Sequence, residues 1–234
     1  MISELQYDEF KHVGTDYGSV DEVADYDRRM QKMRDIPKES ALILDAFDLA
    51  PNSTILEIGT GTGEFAIAAS SRCSKVYAVD VSPVMLQYAK RKADDRGAAN
   101  IDFIHAGFLS YEHKATPVDA VVTQLALHHL PDFWKMVALR RIGGILACGG
   151  KLYLRDAVFP SVTVENPATH FDPFIRNIEN NAGAGVAEEI RVHIRDEFST
   201  LDWIMEGMLQ RSGFTILDAK YDHGFFASYL CKKT

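Results

Sequence analysis

Cysteine is scarce in this sequence, and its placement excludes two classes of small protein. The chain has 3 cysteines in 234 residues, far apart at Cys73, Cys148 and Cys231. No Cys-x-x-Cys pair is present, so neither a zinc ribbon nor a disulfide framework is supported. We therefore expect a reducing, intracellular environment.

Long apolar runs and an excess of positive charge are also missing. No stretch reaches the roughly 18 uninterrupted apolar residues of a membrane helix, and residues 1–4 lack the layout of a signal peptide. Lys and Arg number 25 against 33 Asp and Glu, for a net charge of −8. Proteins that contact phosphates usually carry the opposite sign. We expect a cytoplasmic protein with no membrane or nucleic-acid partner.

Strand and helix patterns alternate through the middle of the chain. Short β-branched runs stand at 54–58, 75–79, 101–105, 118–122 and 151–154. Helical patterns separate most of them, and Ser82-Pro83 is a typical helix start. This alternation predicts βαβ units, and therefore an α/β fold whose parallel sheet has helices on both faces.

The flanking regions follow other patterns. Residues 1–50 predict a helical arm, with helices over 21–35 and from Pro37 onward. Residues 157–198 hold three prolines and no clear strand, which predicts a helical lid inserted after the fifth strand. Residues 199–234 predict a helix and two closing strands. We expect one domain over 1–234, with a sheet core at 51–156.

The most informative segment is a glycine-rich loop after the first predicted strand, Gly59-Thr60-Gly61-Thr62-Gly63. Such a tight turn needs positive φ and lets a ligand lie against bare backbone. The following helix points free N–H groups at that ligand. Asp80 ends the next strand about twenty residues later, where a carboxylate accepts ribose hydroxyls. The pattern predicts a nucleoside-binding crevice.

The spacing also indicates which nucleoside. A dinucleotide site usually has G-x-G-x-x-G, whereas this loop has G-x-G-x-G. Glu64 at the start of the helix would repel a pyrophosphate, and Glu57 is placed to face a positive group. These features favour a cationic ligand without phosphates, such as S-adenosylmethionine (SAM).

Several stretches resemble class I SAM-dependent methyltransferases, of the small-molecule branch that includes ubiquinone and menaquinone C-methylases. They are residues 56–63, 79–86, 119–122, 127–132 and 149–154. The resemblance is close over 50–156 and looser over 199–232. It implies a Rossmann-like, seven-stranded, mostly parallel sheet with an antiparallel last strand.

The resemblance also implies a set of cofactor-binding residues. These are Glu57, Gly59, Thr60, Gly61, Gly63, Asp80, Val81, Met85, Gly107, Phe108, Gln124 and Leu125. The glycines would pass beneath the methionine part of SAM, Glu57 would order its amino end, and Asp80 would hold the ribose. Val81 and Met85 would enclose the adenine, and Gln124-Leu125 would run beside the sulfonium. Where the family often has Gly-Asp after strand three, this chain has Gly107-Phe108, so Phe108 would offer a backbone N–H and a ring.

Methyl transfer from a sulfonium needs alignment and exclusion of water more than it needs acid–base chemistry. A general base is required only for a hydroxyl or carbon-acid acceptor, and His129 is the candidate catalytic residue. The alternative is that His128 and His129 cap the next helix or pack beneath the lid. Since neighbours in an extended segment point opposite ways, we expect at most one to face the cavity.

Two acceptor classes lack their usual residues after strand four. Methylases of base amino groups have an Asn/Asp-Pro-Pro-aromatic run there, whereas this chain has 124–127 without proline. Metal-dependent catechol-type enzymes place an aspartate there, and Gln124 is a poor ligand for a hard cation, so we expect no metal. The lid, with Tyr17 and Tyr26 of the arm, is expected to cover the acceptor.

We therefore predict a SAM-dependent methyltransferase that acts on a small molecule, releases S-adenosylhomocysteine, and is a monomer or homodimer. One alternative is a SAM-binding sensor or scaffold without transfer activity. The other is an NAD(P)-dependent oxidoreductase, which the loop spacing disfavours.

Overall fold

The structure is a computed structural model that describes residues 4–11, 23, 27, 28, 34–222 and 224–234. Most of the helix predicted over 21–35 falls outside the described residues, as do Tyr17 and Tyr26.

Among the described residues, eight strands form the sheet. They are β1 Thr54–Ile58, β2 Lys75–Asp80, β3 Ile101–His105, β4 Val118–Gln124, β5 Leu146–Phe159, β6 Thr200–Leu201, β7 Phe214–Asp222 and β8 Phe226–Lys233. The main path has the order β3-β2-β1-β4-β5-β8-β7, and the short β6 pairs with β5. The first five strands of this path are parallel, while β8 is antiparallel to both of its neighbours. The predicted Rossmann-like, mostly parallel sheet with an antiparallel last strand is confirmed.

Seven helices are described. They are α1 Ile36–Phe47, α2 Glu64–Ser70, α3 Pro83–Asp95, α4 Asp132–Ile145, α5 Pro167–Ala182, α6 Ala184–Asp196 and α7 Asp202–Arg211. The start of α3 follows the predicted chemistry, because the Ser82 hydroxyl accepts a hydrogen bond from the Met85 N–H at 3.2 Å and Pro83 occupies the first turn.

Apolar side chains of the sheet divide between its two faces. In β1, Ile55 packs with Phe47 of α1 and Phe65 of α2, whereas Leu56 joins the cluster beneath α4 and α7. This alternation follows the two-residue period of a strand. It places helices on both sides of the sheet and leaves the carboxyl ends of the strands for a site.

Strand β5 is longer than the predicted 151–154. It begins at Leu146, which pairs with Val118 across a register shift, and it continues to Phe159. Two consecutive charged residues, Arg155 and Asp156, are typical of the end of a buried strand. In the fold each has a partner of opposite charge, Glu39 for Arg155 and His128 for Asp156, so the strand continues past them. The helical insertion therefore begins after Phe159 rather than at 157.

The insertion, called the lid here (residues 160–198), contains α5 and α6 and confirms the helical prediction. Phe174 of α5 stacks on Phe225, with ring centroids 3.8 Å apart. The helix predicted from 199 begins at Asp202, because Thr200 and Leu201 pair with the end of β5. Within the described ranges, we find no helix whose length and apolarity would let it cross a bilayer.

Candidate functional site

The glycine-rich loop joins β1 to α2 with the backbone that its sequence predicts. Gly59, Gly61 and Gly63 have φ values of 80°, 51° and 77°, a region that favours glycine. The N–H groups of Gly59 and Thr60 donate to the carbonyl of Val79 at 2.8 and 3.0 Å. The loop is thereby held against the end of β2.

The three glycines have different surroundings. A Cβ on Gly59 would lie 2.4 Å from the Cβ of Ala126, and one on Gly63 would lie 2.8 Å from the Cβ of Ala89. A Cβ on Gly61 would meet no described atom within 4 Å. Gly59 and Gly63 thus permit close packing, while Gly61 presents bare backbone to open space. That open backbone fits the cradle expected for a ligand.

Asp80 lies at the end of β2, where its carboxylate meets the loop. Its Oδ2 accepts from the Gly61 N–H at 2.7 Å, and its Oδ1 accepts from the Ser82 N–H at 2.9 Å. Burial raises the pKa of the carboxyl, and the amide donors oppose that shift. Each oxygen keeps a second lone pair, so the group can also accept from ribose hydroxyls.

Glu57 is the second buried acid beside the loop. Its side chain is almost inaccessible, and Oε2 accepts from the Thr60 hydroxyl at 2.6 Å. Burial raises its pKa from 4.5 to about 8, and the charge of Asp80 acts in the same direction. A carboxyl this costly to ionise is suited to meeting a positive ligand group.

The region expected to hold adenine contains a residue that the sequence did not indicate. A Cβ on Gly107 would lie 2.7 Å from Val81 and 2.4 Å from the Glu9 carboxylate. Glu9 accepts from the N–H groups of Leu109 at 2.9 Å and Ser110 at 2.7 Å. Glu9 thus links the N-terminal segment to the turn after β3. The two segments are 100 residues apart in the sequence, and no motif connects them.

Two predicted adenine contacts are largely enclosed by protein. Met85 is buried in α3, whereas Val81 is exposed. Phe108 is buried in the apolar cluster beneath α4, and its carbonyl accepts from Arg141 Nε at 3.1 Å. Its ring is therefore part of the core, and its role toward adenine stays a prediction.

Strained backbone and a charged network mark the end of β4. Leu125 has φ of 53°, unusual for a residue other than glycine and often seen at functional sites. Gln124 Oε1 accepts from Arg34 at 3.2 Å. Glu39 of α1 forms ion pairs with Arg34 and with Arg155, the latter at 3.1 Å. The start of α1 is thereby fastened to β4 and β5.

The histidine pair does not have the extended geometry that we expected. Leu127–His129 forms a short 3₁₀ turn, and the rings of His128 and His129 lie 4.4 Å apart. The expectation that the two point opposite ways is wrong, because it assumed an extended chain. Burial and the charge of His128 lower the pKa of His129 to about 4, so its ring is neutral near pH 7.

His128 is held by two carboxylates. Its Nδ1 lies 2.5 Å from Asp156 Oδ1, its backbone N–H donates to Asp156 Oδ2 at 3.0 Å, and its Nε2 lies 3.2 Å from Glu197 Oε2. Burial disfavours the charged ring, but the two carboxylates outweigh burial and raise its pKa to about 9. Asp156 and Glu197 are site residues that the sequence did not indicate.

The end of the lid is bound to this turn by further contacts. The Phe198 N–H donates to the His128 carbonyl at 2.9 Å. Buried Lys135 donates to the Phe198 carbonyl and, at 2.7 Å, to Asp132. His193 of α6 contacts both Glu197 and the ring of His128. The lid therefore covers the carboxyl ends of β4 and β5.

Comparison with known proteins identifies the chemistry of this crevice. Residues 55–150, which contain the loop, Asp80 and the histidine pair, match a family model described as a methyltransferase domain. The uncharacterized methyltransferase YrrT of Bacillus subtilis strain 168 is 26% identical over 201 residues, 84% of this chain and 87% of that protein. An uncharacterized methyltransferase of Mycobacterium tuberculosis strain H37Rv is 36% identical over 121 residues, 51% of this chain and 58% of that protein.

Solved structures share the fold. A SAM-dependent methyltransferase from Aquifex aeolicus superposes with a TM-score of 0.63 at 18% identity, over 92% of this chain and 99% of that one. Magnesium protoporphyrin IX methyltransferase from Synechocystis, with bound S-adenosylhomocysteine, gives 0.62 at 13% identity, over 97% and 91%. The match over residues 55–150, the curated relatives and the shared fold agree on a SAM-dependent methyltransferase.

Proposed function

We propose that this methyltransferase acts on a small molecule that binds between the SAM cradle and the lid. The observation that carries the donor part of the proposal is the buried pair of Glu57 and Asp80 beside the bare backbone of Gly61. Two such carboxylates can accept hydrogen bonds from a positive amino group and from ribose hydroxyls, which are both present in SAM.

SAM supplies a methyl group that is already activated by its sulfonium. The chain's residues would bind and orient the donor. Asp80 would accept from the ribose, Glu57 would pair with the ammonium, and Gly61 would leave room for the methionine part. Val81, Met85 and the backbone at 107–108 would contact the adenine, and Gln124 and Leu125 would border the reacting centre. This transfer needs no metal at the end of β4, where Gln124 already bonds to Arg34.

We assign the acceptor side of the site to the lid. Its two helices border a crevice of about 370 Å³ lined by apolar residues and three arginines, namely Phe171, Ile175, Ile194, Arg176, Arg191 and Arg195, with Asp172. An open groove of this size, lined by apolar side chains and arginines, suits a quinone-type or other small acceptor. We also propose that the chain is a single domain, is located in the cytoplasm, and is a monomer or homodimer.

His129 is the candidate base for a hydroxyl or carbon-acid acceptor. Its ring is neutral near pH 7 and has a free nitrogen lone pair, although a pKa of about 4 makes it a weak base, and it is the last residue of the turn that follows β4. Replacement by alanine should slow turnover while binding of S-adenosylhomocysteine is unchanged. Turnover equal to that of the parent enzyme would return His129 to a packing role.

Donor binding is tested by calorimetry with S-adenosylhomocysteine and with NADH. We expect binding of the first and none of the second. Asp80→Asn should weaken binding by about 10- to 100-fold, since charge-assisted hydrogen bonds contribute about 1.5–3 kcal/mol. Asp102→Asn is the matched control, because Asp102 is an exposed carboxylate on the adjacent β3 that pairs only with Lys75 among the contacts described. Equal affinity of the Asp80 variant and the control would place the donor elsewhere.

The acceptor class is tested with SAM that carries a radioactive methyl group. The enzyme is incubated with a cell extract that has been divided by size into small metabolites, proteins and nucleic acids. Label should appear in the small-metabolite fraction. Label confined to protein or nucleic acid would refute the acceptor part of the proposal while leaving the donor part intact.

A further inference from the structure

His128, His193 and Glu197 bring three metal-binding atoms together at the junction of the lid and the sheet. One ligand atom from each residue lies within 4.8 Å of the other two, and His128 Nε2 is 3.2 Å from Glu197 Oε2. Donor atoms around a tetrahedral zinc, with bonds of about 2.0–2.2 Å, stand about 3.3 Å apart. The spacing of His128 Nε2 and Glu197 Oε2 matches this value, and His193 Nδ1 is closer still to the same oxygen, so the three ligand atoms converge on one point.

Glu197 Oε2 is the atom on which the three side chains converge. The side chain is only 4% exposed, and this oxygen forms ion pairs with His128 Nε2 and His193 Nδ1, neither of which has the alignment of a good hydrogen bond. A poorly aligned contact is a weak hydrogen bond. A cation between the three side chains would bind this oxygen and both ring nitrogens.

The surroundings of His128 are those of a metal ligand. Asp156 Oδ1 hydrogen-bonds to His128 Nδ1, and Asp156 Oδ2 accepts from the His128 backbone N–H. These two contacts fix the orientation of the His128 ring. Metal-binding histidines usually donate their second ring N–H to a carboxylate in this way, which directs the other nitrogen at the ion. On the other histidine, Nε2 lies 3.2 Å from the Ser199 hydroxyl, which leaves Nδ1 for the same ion.

We propose that these three side chains bind one divalent transition metal ion and thereby lock the lid onto the sheet. Two imidazoles with one carboxylate suit Zn²⁺, Fe²⁺ or Co²⁺ and not Mg²⁺ or Ca²⁺, which prefer oxygen ligands. The expectation of no metal depended on Gln124 and on the lack of a ligand spacing among the histidines. His193 and Glu197 follow His128 by more than sixty residues, so the sequence shows no such spacing. The proposal does not depend on SAM binding or on the identity of the acceptor.

The test uses the full chain after treatment with a chelator and dialysis. Calorimetry with Zn²⁺ should show one site per chain, and Co²⁺ should produce visible absorption bands that Zn²⁺ displaces. His193→Ala and Glu197→Gln should each weaken Zn²⁺ binding at least about tenfold. Both residues lie on the lid side of the junction, so the sheet should fold without them, and circular dichroism verifies this.

His170→Ala is the matched control, because His170 is an exposed histidine of the same lid. It should bind Zn²⁺ like the parent chain. Thermal unfolding gives a second readout: Zn²⁺ should raise the Tm of the parent and of the control, and leave that of Glu197→Gln unchanged. Absence of stoichiometric binding in the parent, or equal binding by all variants, would overturn the proposal and leave the cluster as an ion pair between a protonated His128 and two carboxylates.

Discussion

Replacing Glu57 with glutamine should stabilise the ligand-free enzyme in a pH-dependent manner. Below pH 4.5 the carboxyl is protonated in both folded and unfolded chains. As the pH rises from 4.5 toward about 8, the unfolded chain loses this proton while the buried group keeps it, so the wild type loses stability across that window. Glutamine keeps the shape, and its carbonyl can still accept from Thr60, but it does not titrate.

The size of the effect follows from the difference in pKa. Each unit corresponds to about 1.4 kcal/mol, so the penalty on the wild type is about 1.4 kcal/mol near pH 5.5 and about 4 kcal/mol near pH 7.5. The glutamine variant should therefore gain roughly 2–3 kcal/mol relative to the wild type between these two conditions. Urea unfolding of both proteins, followed by tryptophan fluorescence, measures the difference directly.

The same substitution should weaken binding of S-adenosylhomocysteine about tenfold or more, because the ammonium loses a charged partner. Glu64→Gln is the control, because this substitution should change stability in the opposite direction. Hydrogen bonds to Arg96 and Lys92 overcome the effect of burial and lower the pKa of Glu64. Its replacement should therefore destabilise the enzyme near pH 7.5. A stability difference between Glu57→Gln and wild type that does not change with pH would refute the reasoning.

Two other outcomes can be measured on the same preparation. Gly59→Ala should destabilise the enzyme by several kcal/mol because its Cβ would overlap Ala126 at 2.4 Å. Gly61→Ala should cost only about 1 kcal/mol of stability, yet it should weaken S-adenosylhomocysteine binding more than tenfold. Equal losses of stability in the Gly59 and Gly61 variants would contradict this prediction. Cys148 should react with a thiol reagent in the native state, whereas the other two cysteines, which are buried, should react only after unfolding. Rapid native reaction of all three would contradict the described burial.

The parts of the site that sequence predicts well are those built by neighbouring segments. The loop and Asp80 belong to one βαβ unit, so their spacing along the chain fixes their spacing in the fold. The Ser82 cap of α3 is predictable for the same reason, since its hydrogen bond spans three residues. Local chemistry is sufficient in each case.

The parts that sequence does not predict depend on contacts between distant segments. Glu9 meets the turn after β3, and Glu197 meets His128, only because the sheet brings those segments together. The length of β5 is missed for a related reason. Arg155 and Asp156 look unsuited to a buried strand until their partners from other segments are known.

Adjacent residues of β5 hold α1 on one side and the lid on the other. Arg155 pairs with Glu39 at the start of α1, and Asp156 holds His128 beneath the lid. Neighbouring side chains of a strand point to opposite faces, so one peptide unit supports both structures from its two sides. Helix α1 and the lid are consequently held by neighbouring residues of one strand. A chimera that takes either segment from a relative would therefore need Arg155 and Asp156 at the same positions of β5.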